Sequence, residues 1–262
     1  MSDRSTEDFY DPLADEYHLI FDDWWSSAQW QGQVLAQLLA AEGVAPPASV
    51  LDCTCGIGTQ ALPLAGLGYA MTGIDLSEAS IDRAKREAAL RNVSIAFSVG
   101  DVRELPTQLA GTFDAVISCD NALPHLLNDT DLEAAFSSIR RSLKSGGVFL
   151  ATIRDYDELR SERSTGIPPR LFGPSGSRHG YAQAWAWSND GSVVDISLFV
   201  LRETPDGWRT SVYEATYRAF LRAEMNAILM RSGFADPRWL MPNASGYYQP
   251  IVIAQVTRSG AV

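Results

Sequence analysis

The sequence predicts an α/β fold built on a doubly wound, mostly parallel β-sheet. Short apolar runs recur between residues 50 and 150, amphipathic helical stretches separate them, and the connections are short. Parallel neighbouring strands require helical crossovers, so this alternation favours a parallel sheet covered by helices on both faces. Ligands of such sheets bind beyond the carboxyl ends of the strands, and we expect the functional residues there.

Five strands are predicted in this region. Each is an unbroken or nearly unbroken apolar run, which is typical of strands covered on both faces. They span residues 49–53, 70–74, 95–99, 115–119 and 148–153. The clearest helix is predicted over residues 131–143, with Thr130 and Glu133 as a capping box and Gly146-Gly147 as its stop. Its apolar face consists of Leu132, Ala135, Phe136, Ile139 and Leu143.

A different pattern begins after residue 160. Residues 160–180 are rich in Pro, Gly, Ser and Arg and are predicted to form a loop. Three segments with period-two alternation follow, at residues 181–187, 193–201 and 208–217, and turn sequences that end in Gly191 and Gly207 separate them. We interpret these segments as an antiparallel extension that forms a wall over the active edge of the sheet.

The two ends of the chain complete the predicted organisation. The first 45 residues contain two helices rich in aromatic side chains, and the tail has a helix near residues 221–230 and a strand near residues 251–256. We therefore divide the chain into three parts. They are an N-terminal helical lid (1–45), a sheet domain (46–160 and 218–262) and the antiparallel extension (161–217).

Composition and charge exclude several classes of function. The chain has 262 residues, 46% of them hydrophobic, and a net charge of −11, with no run of Lys or Arg. Nucleic acids and anionic membranes need a positive surface, so neither is expected as a partner. No stretch approaches the roughly 20 apolar residues of a membrane span, and the first eight residues lack a secretory signal pattern. We expect a cytoplasmic protein that acts on a small molecule; a homo-oligomer remains open.

The cysteines do not form a recognisable metal-binding set. Cys53, Cys55 and Cys119 are an odd number, and the three histidines of the chain are not spaced to assist them. Side chains two apart on a strand point the same way, so Cys53 and Cys55 could suit a metal. Packing as small buried residues in a reducing compartment is the favoured interpretation, and we predict no metal.

The most informative segment is the turn after the first predicted strand. Gly56 and Gly58 let the backbone approach a ligand closely, and the helix that follows has free amides. Asp75 ends the second predicted strand, where a carboxylate can bind both hydroxyls of a ribose. Asp52 would repel a pyrophosphate but could orient an amino-acid cation, and Asp101 ends the third strand. Three acids around one glycine turn favour a nucleoside without phosphates, although a dinucleotide with Ala61 as its third small residue stays formally possible.

Five motifs together resemble the class I S-adenosylmethionine-dependent methyltransferases. They are Leu51-Asp52-Cys53-Thr54-Cys55-Gly56-Ile57-Gly58, Gly73-Ile74-Asp75-Leu76-Ser77, Gly100-Asp101-Val102, Phe113-Asp114-Ala115-Val116-Ile117 and Leu143-Lys144-Ser145-Gly146-Gly147. The resemblance implies a Rossmann-like sheet domain and S-adenosyl-L-methionine as cofactor. It places Gly56 and Gly58 under the methionine part, Asp75 at the ribose, and Asp101 with Val102 at the adenine. Our full set of expected cofactor contacts is Trp24, Trp30, Asp52, Cys53, Gly56, Gly58, Asp75, Leu76, Asp101, Val102 and Cys119.

A narrower resemblance concerns the methyl acceptor. The segments 10–21, Asn121-Ala122-Leu123-Pro124-His125-Leu126 and Arg154-Asp155-Tyr156-Asp157, with the antiparallel extension, are similar to the glycine and sarcosine N-methyltransferases. The resemblance implies that Arg154 holds a substrate carboxylate, for which a guanidinium fork is well suited. An ion pair of Arg154 with Asp155 or Asp157 stays open. The expected substrate contacts are Tyr10, Asn121, Arg154, Tyr217 and Tyr248.

The sequence also departs from that family. Trp30 stands where its bacterial members usually carry an arginine for the cofactor carboxylate, and tryptophans recur in the lid and in the extension. Such rings either pack in the core or stack on an aromatic substrate. Methylation of an amino-acid nitrogen therefore competes with methylation of a ring carbon, for example of an indole, which needs a base. His125 is the first candidate for that base, followed by Tyr17 and Asp120, while a structural role of His125 in fixing the lid stays open.

Three further alternatives concern the class of protein. Enzymes that methylate the amino groups of nucleic-acid bases carry an Asn/Asp-Pro-Pro-aromatic segment after the fourth strand, where this chain has Asp120-Asn121-Ala122-Leu123. That difference and the acidic charge exclude this class. An NAD-dependent oxidoreductase on the same sheet, and a non-catalytic protein that retains the cofactor, remain as alternatives.

Overall fold

The computed structural model of the chain describes residues 6–105, 109 and 111–257, so the outermost residues of the predicted lid and sheet domain lie outside it. Within these ranges no helix is long and apolar enough to cross a membrane. The described helices are α1 (Thr6–Leu13), α2 (Trp24–Ala41), α3 (Ala61–Gly66), α4 (Glu78–Arg91), α5 (Asp129–Ser142), α6 (Tyr156–Glu162), α7 (Arg222–Arg231) and α8 (Pro242–Ser245). Short 3₁₀ turns span Tyr17–Ile20, Val102–Glu104 and Leu123–His125.

The described strands form two sheets. They are β1 (Ser49–Asp52), β2 (Ala70–Asp75), β3 (Ala96–Val99), β4 (Phe113–Ser118), β5 (Leu143–Thr152), β6 (Gly166–Phe172), β7 (His179–Trp187), β8 (Val193–Thr204), β9 (Gly207–Arg218), β10 (Phe234–Leu240) and β11 (Ile251–Val256). The larger sheet has the order β10-β11-β5-β4-β1-β2-β3, and the smaller one the order β6-β7-β8-β9.

The larger sheet confirms the predicted α/β fold class. Strand β1 pairs in parallel with both β2 and β4, β2 pairs in parallel with β3, and β4 pairs in parallel with β5. Only β11 runs antiparallel to its neighbours β5 and β10. The strand order reverses at β1, so the loops after β1 and β4 diverge and open a crevice at the carboxyl edge.

The core lies on both faces of this sheet. Adjacent residues of β1 and β4 point to opposite sides, so Leu51 and Val116 pack with α5, whereas Val50 and Ala115 pack with α2. All four side chains are completely buried. The unbroken apolar runs of the sequence therefore correspond to strands covered on both faces, as predicted.

The ends of α5 differ from the prediction. The helix starts at Asp129, and the side chain of Asn128 caps it by accepting a hydrogen bond from the backbone N–H of Asp131. Asparagine is a stronger cap than threonine, which explains why the predicted capping box of Thr130 and Glu133 is wrong. The helix ends at Ser142, and Gly146-Gly147 lie inside β5 instead of stopping it.

The smaller sheet confirms the antiparallel extension and enlarges it. Strands β7, β8 and β9 pair in antiparallel register through the two predicted turns. The predicted loop over residues 160–180 is wrong, because this segment also contains the end of α6 and the edge strand β6. The two prolines of β6 lie at a register shift between Ile167 and Arg170, and edge strands tolerate proline at such irregularities. Our division of the chain into domains stays a prediction.

Candidate functional site

A first cavity opens at the carboxyl edge of the larger sheet. It has an empty volume of about 1070 Å³, including space open to solvent, and the loops after β1, β2, β3 and β4 line it together with α1 and the 3₁₀ turn Tyr17–Ile20. This is the crevice that the reversal of strand order predicts. The cavity lies at the carboxyl ends of the strands, where the sequence predicts the functional residues.

The two glycines of the β1–α3 turn serve different purposes. Gly56 lines the cavity with φ +50°, and a Cβ at this position would meet no atom within 4 Å, so it would occupy space left for a ligand. Gly58 has φ +91° and does not line the cavity; a Cβ there would stand 2.9 Å from Cδ1 of Leu62. Both positions require glycine, the first for the ligand and the second for the turn itself.

Asp75 connects the second strand to this turn. Its Oδ2 accepts a hydrogen bond from the backbone N–H of Gly56 at 2.7 Å, and its Oδ1 accepts one from the N–H of Ser77 at 3.0 Å. Burial raises the pKa of this carboxyl above its usual range. Each oxygen keeps a second acceptor site, so the side chain, which lines the cavity, can still bind a pair of hydroxyls.

The other two acids have different surroundings. Asp52 is completely buried beneath the turn, and its Oδ2 has no hydrogen-bond partner among the described residues. Burial raises the pKa of Asp52 strongly, because a buried carboxylate needs a donor or a cation. Asp101 lines the cavity at the end of β3, and both its oxygens accept hydrogen bonds from the guanidinium of Arg103. The sequence reasoning did not anticipate this pairing.

A second cavity adjoins the first. Its empty volume is about 1290 Å³, including space open to solvent, and Tyr17 and Asp120 line both cavities. Arg154 and Tyr248 line the second cavity only. Two ligands, one bound in each cavity, would therefore meet near Tyr17 and Asp120. A chemical group could be transferred between them at this junction.

Asp120 is held at the junction by a dense set of hydrogen bonds. Its Oδ1 accepts from the hydroxyls of Tyr248 and Tyr247, the latter at 3.1 Å, and its Oδ2 accepts from Nε2 of Gln60 at 2.8 Å. Burial raises the pKa of Asp120 above its usual range. Asp120 and Asn121 both have left-handed backbone angles, φ +57° and φ +66°, and consecutive non-glycine residues of this kind are rare outside functional sites.

Arg154 has no carboxylate partner among the described residues. Nη2 donates to Oε1 of Gln183 at 3.3 Å, and the guanidinium lies 5.2 Å from the ring centre of Trp185 and 5.6 Å from that of Tyr217. The alternative in which Arg154 pairs with its sequence neighbours is wrong. Asp155 and Asp157 both pair with Arg222 instead, at 2.8 and 3.3 Å.

Known proteins share this arrangement of strands and loops. A model of the methyltransferase domain family matches residues 50–147. The Bacillus subtilis (strain 168) protein YqeM, named as a methyltransferase, is 30% identical over 192 residues, which are 71% of this chain and 72% of YqeM. The chain belongs to the class I S-adenosylmethionine-dependent methyltransferases. This membership confirms the family predicted from the motifs and gives no support to the dinucleotide oxidoreductase alternative.

One further sequence and one solved structure are similar to this methyltransferase. A glycine/sarcosine N-methyltransferase of Parasynechococcus marenigrum (strain WH8102) is 27% identical over 210 residues, 77% of this chain and 73% of that enzyme. The S-adenosylmethionine-bound structure of CalS10, an amino pentose methyltransferase of Micromonospora echinaspora, superposes with a TM-score of 0.70 at 20% identity, covering 95% of this chain and 98% of CalS10. The second likeness concerns the fold.

The cofactor of this methyltransferase is S-adenosylmethionine, and the first cavity fits it. The space beside Gly56 and the free acceptor sites of Asp75 suit a nucleoside without phosphates. The cavity is lined by seven of the expected cofactor residues, Cys53, Gly56, Asp75, Leu76, Asp101, Val102 and Cys119. All three cysteines are free and buried.

Four expected cofactor residues, Asp52, Gly58, Trp24 and Trp30, do not line the cavity. Nε1 of Trp24 donates to Oγ1 of Thr59 at 3.1 Å, and Thr59 does line it. Trp30 is 41% exposed and stacks on Tyr247, with ring centres 5.8 Å apart. Direct contacts of these four residues with the cofactor stay predictions.

The remaining expected substrate residues surround the junction. Tyr10 lines the first cavity, whereas Asn121 and Tyr217 are buried and line neither cavity. Asn121 contacts the backbone of Arg154. Its Oδ1 accepts a hydrogen bond from the backbone N–H of Arg154 at 3.1 Å, and its Nδ2 donates one to the hydroxyl of Tyr156. Tyr217 packs between His125 and Arg154. These contacts favour positioning roles for both residues.

His125 lies in an aromatic enclosure at the first cavity. Its Nε2 is 3.1 Å from the hydroxyl of Tyr10, and the ring of Tyr217 is 4.5 Å away, centre to centre. Burial, and then the charge of Arg154, lowers the pKa of His125 to about 3. A ring with this pKa is a weak proton acceptor at neutral pH, so the surroundings favour the structural role over the role of base. Tyr17 is also a poor base, because burial raises its pKa and keeps it protonated.

We expect His125→Ala to lower turnover by about tenfold or more while cofactor binding survives, because Tyr10 and Tyr217 lose the ring between them. Steady-state kinetics and calorimetry with S-adenosylhomocysteine measure the two effects. Unchanged turnover would remove His125 from the candidate catalytic residues.

The same residue should make the protein sensitive to acid. The pKa of His125 is about 3 in the folded chain against an ordinary value of 6.5, so between these values the unfolded chain binds the extra proton. The free energy of unfolding therefore falls as the pH falls through this window. Urea denaturation at about pH 7 and about pH 5 should show a smaller loss for His125→Gln than for the natural chain. An equal loss in both would assign the acid sensitivity to other groups.

Sequence reasoning missed three residues of the junction. Gln31 is completely buried in α2. Its Oε1 accepts from Nε2 of Gln60 at 2.7 Å and lies 2.6 Å from the hydroxyl of Tyr247, whose single proton is shared between Gln31 and Asp120. Gln60 and Tyr247 in turn hold Asp120. A buried glutamine on an otherwise apolar helix face was the available signal, since such side chains are rarely buried without a partner.

Proposed function

We propose that this methyltransferase methylates the amino nitrogen of a small, carboxylate-bearing amine of the amino-acid type. One observation carries the proposal. The guanidinium of Arg154 lines the second cavity without a carboxylate partner among the described residues, while Asp120 lies where that cavity meets the first. A zwitterionic substrate matches this pair of opposite charges.

Arg154 is suited to hold the carboxylate. A guanidinium donates two parallel charge-assisted hydrogen bonds to a carboxylate, which fixes orientation as well as position. Gln183, Trp185 and Tyr217 confine the guanidinium from the side, and Asn121 fixes the backbone from which it extends. The acceptor would then be anchored at one end, with its amino group free to reach the junction.

Asp120 is suited to hold the amine. An ionised carboxylate has about four acceptor sites. Tyr248 and Gln60 occupy two of them, and the single hydroxyl proton of Tyr247 is shared between Asp120 and Gln31, so at least one site is left for an N–H of the acceptor. The nitrogen must be neutral for its lone pair to form the new bond to carbon. A buried carboxylate with a raised pKa takes up the proton of the incoming ammonium more readily than an exposed one.

The remaining contribution of the chain is geometric. S-adenosylmethionine, when bound, supplies a methyl group already activated for displacement, so positioning and exclusion of water account for most of what the protein must do. Tyr17 lines both cavities, stays protonated and borders the path between them. The acidic net charge of −11 further favours a small acceptor over a nucleic acid.

Similarity to the Parasynechococcus glycine/sarcosine N-methyltransferase supports nitrogen as the nucleophile. Methylation of an aromatic carbon is the weaker alternative. His125, with a pKa of about 3, is poorly suited as the base that it requires, and Asp120, the other proton acceptor at the junction, lies where the amino group of a zwitterion would bind. We therefore favour an amine over an indole ring as acceptor.

The test is mass spectrometry of products from a panel of amines. The panel contains glycine, sarcosine, larger α-amino acids, the corresponding amino-acid amides and indole metabolites without an amino acid group. We expect methylation on nitrogen, with kcat/KM for the amides lower by about a hundredfold because they lack the carboxylate. Equal rates for acids and amides, or methyl groups on ring carbon, would contradict the proposal.

A further inference from the structure

The second cavity is larger than a glycine acceptor requires. Of its empty volume, about 510 Å³ is accessible to the centres of water-sized spheres, which lies within the roughly 300–1,000 Å³ of pockets that bind drug-sized ligands. Glycine has only one carbon between its two charged groups. Arg154 and Asp120 account for these groups and leave most of the cavity without an assigned occupant.

The wall beside Arg154 is aromatic. Tyr181, Gln183 and Trp185 alternate along β7 and therefore face the same side, and all three line the cavity. Nε1 of Trp185 donates to Oε1 of Gln183 at 2.9 Å, the same oxygen that accepts from Arg154. The polar edge of Trp185 is thereby satisfied. Because the guanidinium of Arg154 lies 5.2 Å from the centre of the Trp185 ring, an apolar group that packs against this ring elsewhere lies next to the anchored carboxylate.

The other residues that line the cavity are also largely apolar. They include Ile20, Phe21, Leu159, Ile167 and Met241. Besides Asp120, two acids line the cavity, but Asp155 is paired with Arg222, and Glu158 is exposed. Neither acid supplies a buried unpaired charge, so the space beyond Arg154 does not favour a second cation.

We propose that the acceptor is an α-amino acid with an aromatic side chain, which packs against Trp185 and Tyr181 while Arg154 holds its carboxylate. This assignment rests on the proposed function and names the substrate class of the same site. Tyr181, Trp185 and Ile167 are then the residues that determine specificity. Stacked or edge-on ring pairs add stabilisation beyond the burial of apolar area, and this favours aromatic over aliphatic side chains.

The first test compares amino acids with the natural chain. We expect kcat/KM for L-phenylalanine and L-tryptophan to exceed that for glycine and sarcosine by about tenfold or more, because one group added in an apolar pocket changes kcat/KM by roughly 10–200-fold. Glycine or sarcosine as the best acceptor would overturn this inference and leave the proposed function intact. Methylation of no amino acid would refute the proposed function itself.

The second test fills the cavity. Ile167→Trp should lower the ratio of kcat/KM for phenylalanine to that for alanine by about tenfold. The matched control is Leu171→Trp on the same strand, at a side chain that is 44% exposed and does not line the cavity; it should leave the ratio unchanged. Thermal melting of both variants distinguishes misfolding from the loss of space for the acceptor's side chain. A folded Ile167→Trp variant with an unchanged ratio would overturn the assignment.

Discussion

Arg154→Leu is expected to lower kcat/KM for the amino-acid acceptor by about a hundredfold to a thousandfold. The guanidinium of Arg154 lines the second cavity and has no carboxylate partner among the described residues. The substitution removes two charge-assisted hydrogen bonds to the acceptor. Most of the effect should fall on KM, because the carboxylate is bound equally in the substrate and in the transition state. Initial rates over a range of acceptor concentrations measure it.

The controls for Arg154 separate recognition from folding. Arg209→Leu removes an exposed guanidinium from β9 and should leave both constants unchanged. Arg154→Leu should also bind S-adenosylhomocysteine normally, since Arg154 does not line the first cavity. An amino-acid amide should be methylated at similar rates by the variant and the natural chain. If kcat/KM with the acid falls less than about threefold, Arg154 does not bind the carboxylate.

Asp75→Ala is expected to weaken binding of the cofactor by about a hundredfold or more. The carboxylate has two proposed hydroxyl partners on the ribose, and it also fixes the glycine turn through the N–H of Gly56. Loss of the side chain removes both effects at once. Calorimetry with S-adenosylhomocysteine gives the affinity directly, independently of the identity of the acceptor.

Asp82→Ala is the matched control for Asp75. Asp82 lies on α4, its side chain is 60% exposed, and its ion pair with Lys85 at 3.8 Å contributes little to stability. Cofactor affinity and melting temperature should both remain those of the natural chain. An Asp75→Ala variant that melts normally and binds the nucleoside with unchanged affinity would place the ribose elsewhere.

The parallel sheet was predictable because its information is local. Buried strands such as β1 and β4 are short apolar runs, and the crossovers between them are amphipathic helices of ordinary length. Strand β6 was not predictable in this way, since its prolines and glycine have the composition of a loop. Its pairing with β7 depends on a partner strand, and single-sequence patterns do not contain that information.

The residues of the candidate site likewise fall into those that the sequence predicts and those that it does not. Asp75 ends β2, and Gly56 and Arg154 lie in the loops after β1 and β5, so topology predicts that all three lie at one edge of the sheet. The bond between Gln31 and Tyr247 joins residues 216 positions apart, and neither residue belongs to a motif. The pKa of His125 likewise depends on burial and on Arg154, which become visible only in three dimensions.

At the turn formed by Asp120 and Asn121, the side chains that the site needs lower the stability of the fold. Two successive side chains occupy backbone angles that suit glycine, at a cost of about 1–3 kcal/mol each. Glycine would relieve the strain but would remove the acid from the junction and the amide that anchors Arg154. A search for more thermostable variants would therefore select against activity at these two positions, and directed evolution of this scaffold should hold both fixed while stability is improved elsewhere.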